Sequence, residues 1–172
     1  MLNQLITSKT RLRLLVKFFI SQANRGYLNG LANEFNESTN SIRKELNHLS
    51  EAGYLEKYKE NNKVSYKANI NHPMFEILQK VVFKHLGLED IVEHVLAQIG
   101  SVNKILLTGD YAKGLDTGKI EVILIGDQLN TSYISNLEKK LGKLIDREVQ
   151  FIISNRFSSE QTTLQLYSNE TS

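Results

Sequence analysis

Residues 38–67 read STNSIRKELNHLSEAGYLEKYKENNKVSYK, and their order decides the fold of the first half of the chain. Ile42, Leu46 and Leu49 recur at i, i+4 and i+7, which puts them on one face of a helix. At about 100° per residue, Asn40, Lys44, Asn47 and Glu51 point the opposite way, flanked by Arg43 and His48. Ser38 or Thr39 can cap this helix at its start. Gly53 ends it, because glycine tolerates the left-handed backbone on which helices often finish. Two strands are expected next, roughly 54–59 and 63–68, with Asn61 and Asn62 suited to the positive φ angles of a tight hairpin. An apolar back with an amide and cationic front is what a helix needs to lie in a DNA major groove. Amides and guanidinium groups pair bidentately with base edges, and lysine neutralises phosphate.

The residues upstream extend the pattern. A helix is expected over 8–21, with Leu12, Leu15, Val16 and Phe19 on its buried stripe and Arg11, Arg13 and Lys17 off it. After a turn at Asn24-Arg25-Gly26, residues 27–36 read as a short second helix with Leu31 and Phe35 inward, and Glu37 and Ser38 make a tight turn into the third. Over residues 8–68 the chain resembles winged helix-turn-helix regulators of the ArsR and MarR type. An ordinary surface helix also has a polar outer face; here a short helix, a tight turn, Gly53 and a basic hairpin all stand in register with it. The resemblance implies base contacts from Asn40, Ser41, Arg43, Lys44 and Asn47, with His48 approaching a base or a phosphate. It implies that Lys57, Lys59 and Lys63, with Asn61 and Asn62 at the tip, meet phosphates or the minor groove. Tyr54, Tyr58 and Tyr66 read as packing residues rather than base-stacking platforms.

Bulk properties agree with this division. A chain of 172 residues suits one or two small domains. Residues 1–70 hold 11 Lys/Arg and 6 Asp/Glu, whereas residues 71–172 hold 10 and 13, so a net charge of +2 hides a basic half beside an acidic one. There is no cysteine, which excludes disulfides and thiolate metal sites. The four histidines, His48, His72, His85 and His94, show no close ligand spacing. The apolar run LLVKFFI is broken by Lys17 and too short to span a bilayer, and no secretory signal pattern opens the sequence. A cytoplasmic protein without membrane contact is expected.

Pro73 suits the first turn of a further helix, capped by Asn71 or His72, with Phe75, Leu78, Val82 and Leu86 at helical spacing and Gly87 as its stop. It reads as a linker or a dimerisation helix. Residues 88–98 make another helix, with Leu88, Ile91, Val92, Val95, Leu96 and Ile99 on one stripe. From Val102 the pattern turns α/β: KILLTG as a buried strand, DYAKG as the start of a short helix, IEVILIGD as a second strand, 131–145 as an amphipathic helix and EVQFIIS as a third strand. The Ser/Thr/Gln-rich stretch from about 156 reads as a tail or a weak edge element.

The segment TGDYAKGLDTGKIEVILIG resembles the core of the minimal nucleotidyltransferase family within the DNA polymerase beta superfamily, over about residues 88–155. Gly109 and Gly114 match the family's glycines, and residues 122–125 match its apolar strand. The family uses a Gly-Ser turn for triphosphate and three acids for two magnesium ions. Here Asp110 stands at the serine, Lys119 at the first aspartate, Glu121 at the second, and Gln150 at the third acid. Two unit charges ~4 Å apart interact by about 4 kcal/mol at an effective dielectric near 20. Exchanging a metal-binding carboxylate for an ammonium turns an attraction of that order into a repulsion, so the site Gly109, Asp110, Gly114, Lys119 and Glu121 reads as degenerate. Asp110 and Lys119 could pair across the cleft, or both could face solvent. Asp116, Glu121 and Glu148 could regroup around magnesium.

These readings give an α+β chain: a winged helix-turn-helix domain over 1–69, a linker or dimerisation helix over 70–87, a small nucleotidyltransferase-like α/β domain over 88–155 and a tail over 156–172. The expected function is sequence-specific regulation of transcription. Double-stranded DNA is the expected partner and a homodimer the expected assembly, with an effector ligand or protein partner for the second domain. No catalytic residue, metal or cofactor is expected. The alternatives are an active nucleotidyltransferase, with the winged helix holding substrate, and an antitoxin-type protein of the minimal nucleotidyltransferase kind.

Overall fold

The computed structural model describes residues 2–155 and 161–170. The fold is α+β, and its packing divides into two units, Met1–His85 and Leu86–Ser172. In the first, a single 3-10 turn at Leu2–Gln4 precedes α1 (Lys9–Phe19), β1 (Gly26–Tyr27), α2 (Leu28–Phe35), α3 (Thr39–Glu51), β2 (Leu55–Glu60), β3 (Lys63–Ala68) and α4 (Phe75–Leu86), whose last residue is counted with the second unit. This is the winged helix-turn-helix order. Ser8 and Ser38 cap α1 and α3, accepting from the backbone N–H of Arg11 at 3.1 Å and of Ser41 at 3.3 Å. Gly53, at φ +83°, ends the turn after α3 in the left-handed region, and Asn61 and Asn62, at φ 50° and 63°, make the hairpin tip.

The core of this unit is built from Leu14, Phe18, Phe19, Leu31, Ile42, Leu46 and Leu55, all nearly inaccessible. Phe75 opens α4 against Phe19, with ring centroids 5.7 Å apart. Just ahead of α4, His72 Nδ1 accepts from the Met74 N–H at 3.0 Å. Two expectations for α1 need correction. Leu12 is only half-buried while Leu14 and Phe18 are fully buried, and Lys17 is 6% exposed. Lys17 is held there by Glu34 at 3.0 Å, a partner on another helix. The strand β1 was not expected. It pairs Gly26 with Tyr66 and Tyr27 with Ser65, making the wing a three-stranded antiparallel sheet in the order β1-β3-β2.

The second unit runs α5 (Leu88–Gln98), β4 (Ser101–Thr108), a single turn at Tyr111–Lys113, β5 (Lys119–Asp127), α6 (Ile134–Ile145), β6 (Glu148–Ile153) and β7 (Thr163–Ser168). The sheet order is β6-β5-β4-β7, with β5 and β6 parallel and the other pairs antiparallel. Side chains alternate along β5: Ile120, Val122 and Leu124 are fully buried, while Lys119 and Glu121 lie on the other face. α5 packs on β4 and β7, and α6 on β6. The stretch from about 156, expected as a tail or a weak edge element, is in part an edge strand: β7 adds to the edge of β4, aligning Leu164 with Leu107 and Tyr167 with Ile105. Residues 156–160, covered by the same expectation, lie outside the described residues. Among the described residues, no helix is long and apolar enough to cross a membrane.

Candidate nucleic-acid interface

The polar front of α3 stands clear of the core. Asn40, Ser41, Arg43, Lys44 and His48 are exposed and Asn47 is half-exposed, while Ile42, Leu46 and Leu49 are buried behind them. Arg43 donates from Nη1 to Asn40 Oδ1 at 2.9 Å, so two candidate base-reading side chains already sit side by side. Behind the helix, Glu45 accepts from Arg11 Nε at 2.8 Å and from the Ser8 hydroxyl at 3.1 Å. Burial pushes the Glu45 carboxyl upward, but the hydrogen bonds from Arg11 and Ser8 and the Arg11 charge outweigh it and hold the group below the usual carboxylate range. This anchor fixes how α3 is rotated, and nothing local in the sequence marks it.

The hairpin register divides the wing lysines. Lys57 faces Tyr66, and Lys59 faces Val64, across the β2–β3 pair. Paired residues share a face and neighbours alternate, so Lys57 and Lys59 lie on the face that carries buried Leu55 and Ala68. The Lys57 ammonium stands 6.0 Å from the centre of the Tyr66 ring. Burial raises the Tyr66 hydroxyl pKa, and the Arg43 charge opposes that rise. Lys63 does not join Lys57 and Lys59. It lies on the opposite face, 4.3 Å over the Tyr27 ring. Lys67 lies on that face too, 5.5 Å over Tyr58 and 3.5 Å from Glu56. Tyr54 packs on His72, with centroids 4.5 Å apart. Asn61 and Asn62 remain exposed at the tip.

Ion pairing concentrates charge on this surface. Glu45, Glu37, Glu34 and Glu56 are taken by Arg11, Arg13, Lys17 and Lys67. Of the 6 acids in residues 1–70, that leaves Glu51 and Glu60 outside any ion pair among the described residues. Arg43, Lys44, Lys57, Lys59 and Lys63 have no carboxylate partner there either. Four acids are thus neutralised away from the front, and α3 with its wing keeps the excess positive charge.

In the second unit the glycine turn follows β4. Gly109 has φ +71°, and a Cβ there would collide with Glu121 Oε2, so the Glu121 carboxylate occupies the hollow of the turn. Register places Thr163, Thr108, Glu121 and Gln150 in one row across all four strands, with Lys119 beside Glu148 one step away. The suggested Asp110–Lys119 pair is absent: among the described residues no ion pair joins them. Asp110 instead accepts from the Thr117 hydroxyl at 3.0 Å, and Lys119 is exposed at the start of β5. Gly114, at φ +83°, closes the short helical turn.

Ion pairs do form elsewhere in this unit: Lys104 with Glu170 at 2.9 Å, and Arg147 with Asp116, bidentate at 3.0 and 2.8 Å. Tyr111, fully buried, donates a short hydrogen bond to Asp116 and accepts from the Gly118 N–H at 2.9 Å. Burial first, and then Asp116, push the Tyr111 hydroxyl well above its ordinary range; the Asp116 hydrogen bond likewise raises Arg147. Among the described residues, no group of three or more His, Asp or Glu side chains is placed to hold a metal ion.

No protein-family model matches the chain, and no curated protein matches it. Solved structures offer partial likenesses. A mutant of the toxin–antitoxin MntA-HpeT is 20% identical over 48% of this chain and 73% of its own, with a TM-score of 0.42. The AntR antimony-specific transcriptional repressor is 18% identical over 54% of this chain and 78% of its own, with a TM-score of 0.40. The transcriptional regulator BldR from Sulfolobus solfataricus is 14% identical over 58% and 68%, with a TM-score of 0.38. Likenesses this loose identify no function.

Proposed function

We propose that the chain binds duplex DNA through α3 and the β2–β3 wing and regulates transcription in a sequence-dependent way. The observation that carries this reading is the segregation of charge in the first unit. Ion pairs absorb Glu34, Glu37 and Glu45 among the helices and Glu56 on the opposite face of the wing from Lys57 and Lys59. The exposed front keeps Arg43, Lys44, Lys57 and Lys59 without a carboxylate partner among the described residues. Arg43 and Asn40, held together, are suited to base edges; Lys57 and Lys59 are suited to phosphates. α3 would lie in the major groove with the wing along the flanking backbone.

One such module has a small footprint, so specific binding calls for a homodimer on a palindromic site. Ile70, Met74 and Ile77, exposed at 54%, 37% and 51% at and before the start of α4, offer apolar surface for the second copy. The second unit would serve as an effector or oligomerisation module. Glu121 fills the glycine turn, and Lys119 faces away from the buried side of its strand, which supports a reading without nucleotidyl transfer. Sequencing of genomic fragments retained by the purified protein tests the proposal. Enrichment of a palindromic site supports it; recovery of fragments indistinguishable from input contradicts it. Nucleotidyl transfer from labelled triphosphates with magnesium, abolished by Glu121→Ala, would favour the enzymatic alternative instead.

A further inference from the structure

The second unit is acidic, with 8 Lys/Arg against 12 Asp/Glu in residues 86–172, yet one helix face in it is cationic. α6 buries Leu137, Leu141 and Ile145 against its own unit. Asn136, Lys139, Lys140 and Lys143 recur at i, i+3, i+4 and i+7, forming a single stripe, and all four are exposed. The three lysines, with Leu144 and with His94 from α5, line a groove of about 590 Å³. His94 Nδ1 donates to the Asp90 carbonyl at 2.8 Å, which leaves Nε2 as its open ring atom.

Among the described residues, no carboxylate forms an ion pair with this stripe. The nearby carboxylates are Glu138 and Asp146 at α6, and Asp90 and Glu93 on α5. Lys139 and Lys143 stand four residues apart, where like charges repel. An external polyanion relieves that repulsion. Four residues of helix rise about 6 Å, close to two 3.4 Å steps along one DNA strand. Lysine is a point charge that suits phosphate rather than a base edge.

We infer that the Lys139, Lys140 and Lys143 face of α6 is a second, sequence-independent contact to the DNA backbone. The inference rests on the DNA-binding reading of the first unit and makes each chain bivalent on one duplex. Bivalency raises apparent affinity through effective concentration without any added base reading.

The test uses the full chain and a K139Q/K140Q/K143Q variant, binding a labelled duplex across a range of salt concentrations. Each phosphate contact contributes about 0.9 to the slope of log K against log salt. The variant should therefore show a slope shallower by about 2–3, equally on selected and random duplexes, with unchanged sequence preference and an unchanged thermal midpoint. Duplex binding with an unchanged slope overturns the inference and leaves the first-unit reading standing. Failure of the unaltered chain to bind any duplex overturns both. Loss of binding to phosphatidylserine vesicles in the variant, with an unchanged duplex slope, overturns it and assigns the stripe to a membrane surface.

Discussion

Replacing Glu45 with glutamine tests whether the front of α3 is aimed from behind. Glu45 is 6% exposed on the inner side of α3, where it accepts from Arg11 and Ser8. Glutamine keeps the volume and removes the charge. A hydrogen bond to a charged group contributes about 1.5–3 kcal/mol. The Arg11 side chain is 38% exposed, so water screens part of the interaction and roughly 1–2 kcal/mol is the expected loss at neutral pH. In a unit of this size that lowers the thermal midpoint by roughly 5–15 °C. The pH dependence has a fixed sign. The folded-state pKa of Glu45 lies below the ordinary 4.5, so its ionised form stabilises the fold above that value, and the contribution is lost as pH falls through the depressed value. The gap between the parent chain and Glu45→Gln should therefore close on acidification below 4.5. The chain has no tryptophan, so calorimetry combined with peptide-resolved hydrogen exchange over residues 39–51 makes the measurement. An unchanged midpoint at neutral pH, or a gap that widens in acid, refutes the reasoning.

Other perturbations separate the remaining roles. Arg43→Ala should weaken binding to a selected duplex by about 1–3 kcal/mol and relax base preference. Lys59→Ala should weaken all sequences alike and reduce the salt slope by about one unit, as read by anisotropy titrations on selected and random DNA. Tyr111→Phe removes the donor to Asp116 and leaves the Gly118 N–H without its acceptor. A loss of about 1–3 kcal/mol in urea unfolding is expected, and hydrogen exchange should localise it to the second unit. Gly109→Ala should destabilise through both its positive φ and the collision with Glu121 Oε2, and Glu121→Ala should restore part of the loss. Additive effects in that double-mutant cycle would show that the carboxylate does not fill the turn.

Local chemistry made much of the first unit legible. The period of Ile42, Leu46 and Leu49, the stop at Gly53 and the Asn61-Asn62 tip each act within a few residues, and each is found where the pattern placed it. Contacts distant in sequence were not legible. Lys17 is buried because Glu34 lies on a different helix, and Arg147 meets Asp116 across 31 residues. The β1 strand has two residues and no periodicity, yet it sets Tyr27 beneath Lys63. Lys63 itself belonged, by spacing alone, with Lys57 and Lys59. Only the hairpin register, through the pleat, sends it to the opposite face. In the second unit, opposite charges at Asp110 and Lys119 suggested a pair, but Asp110 is engaged by Thr117 in its own loop. The alternation Leu164, Gln165, Leu166 in a polar stretch was the available sign of β7.

The most direct measurement is equilibrium binding of the full chain to a fluorescent random-sequence duplex at low ionic strength, beside a variant carrying Arg43→Ala, Lys44→Ala, Lys57→Ala and Lys59→Ala. The account predicts salt-sensitive binding by the parent chain and, from the two phosphate-facing lysines, a salt slope shallower by about 2 in the variant. A folded parent chain that leaves the duplex unbound, or a variant that binds as its parent does, contradicts it.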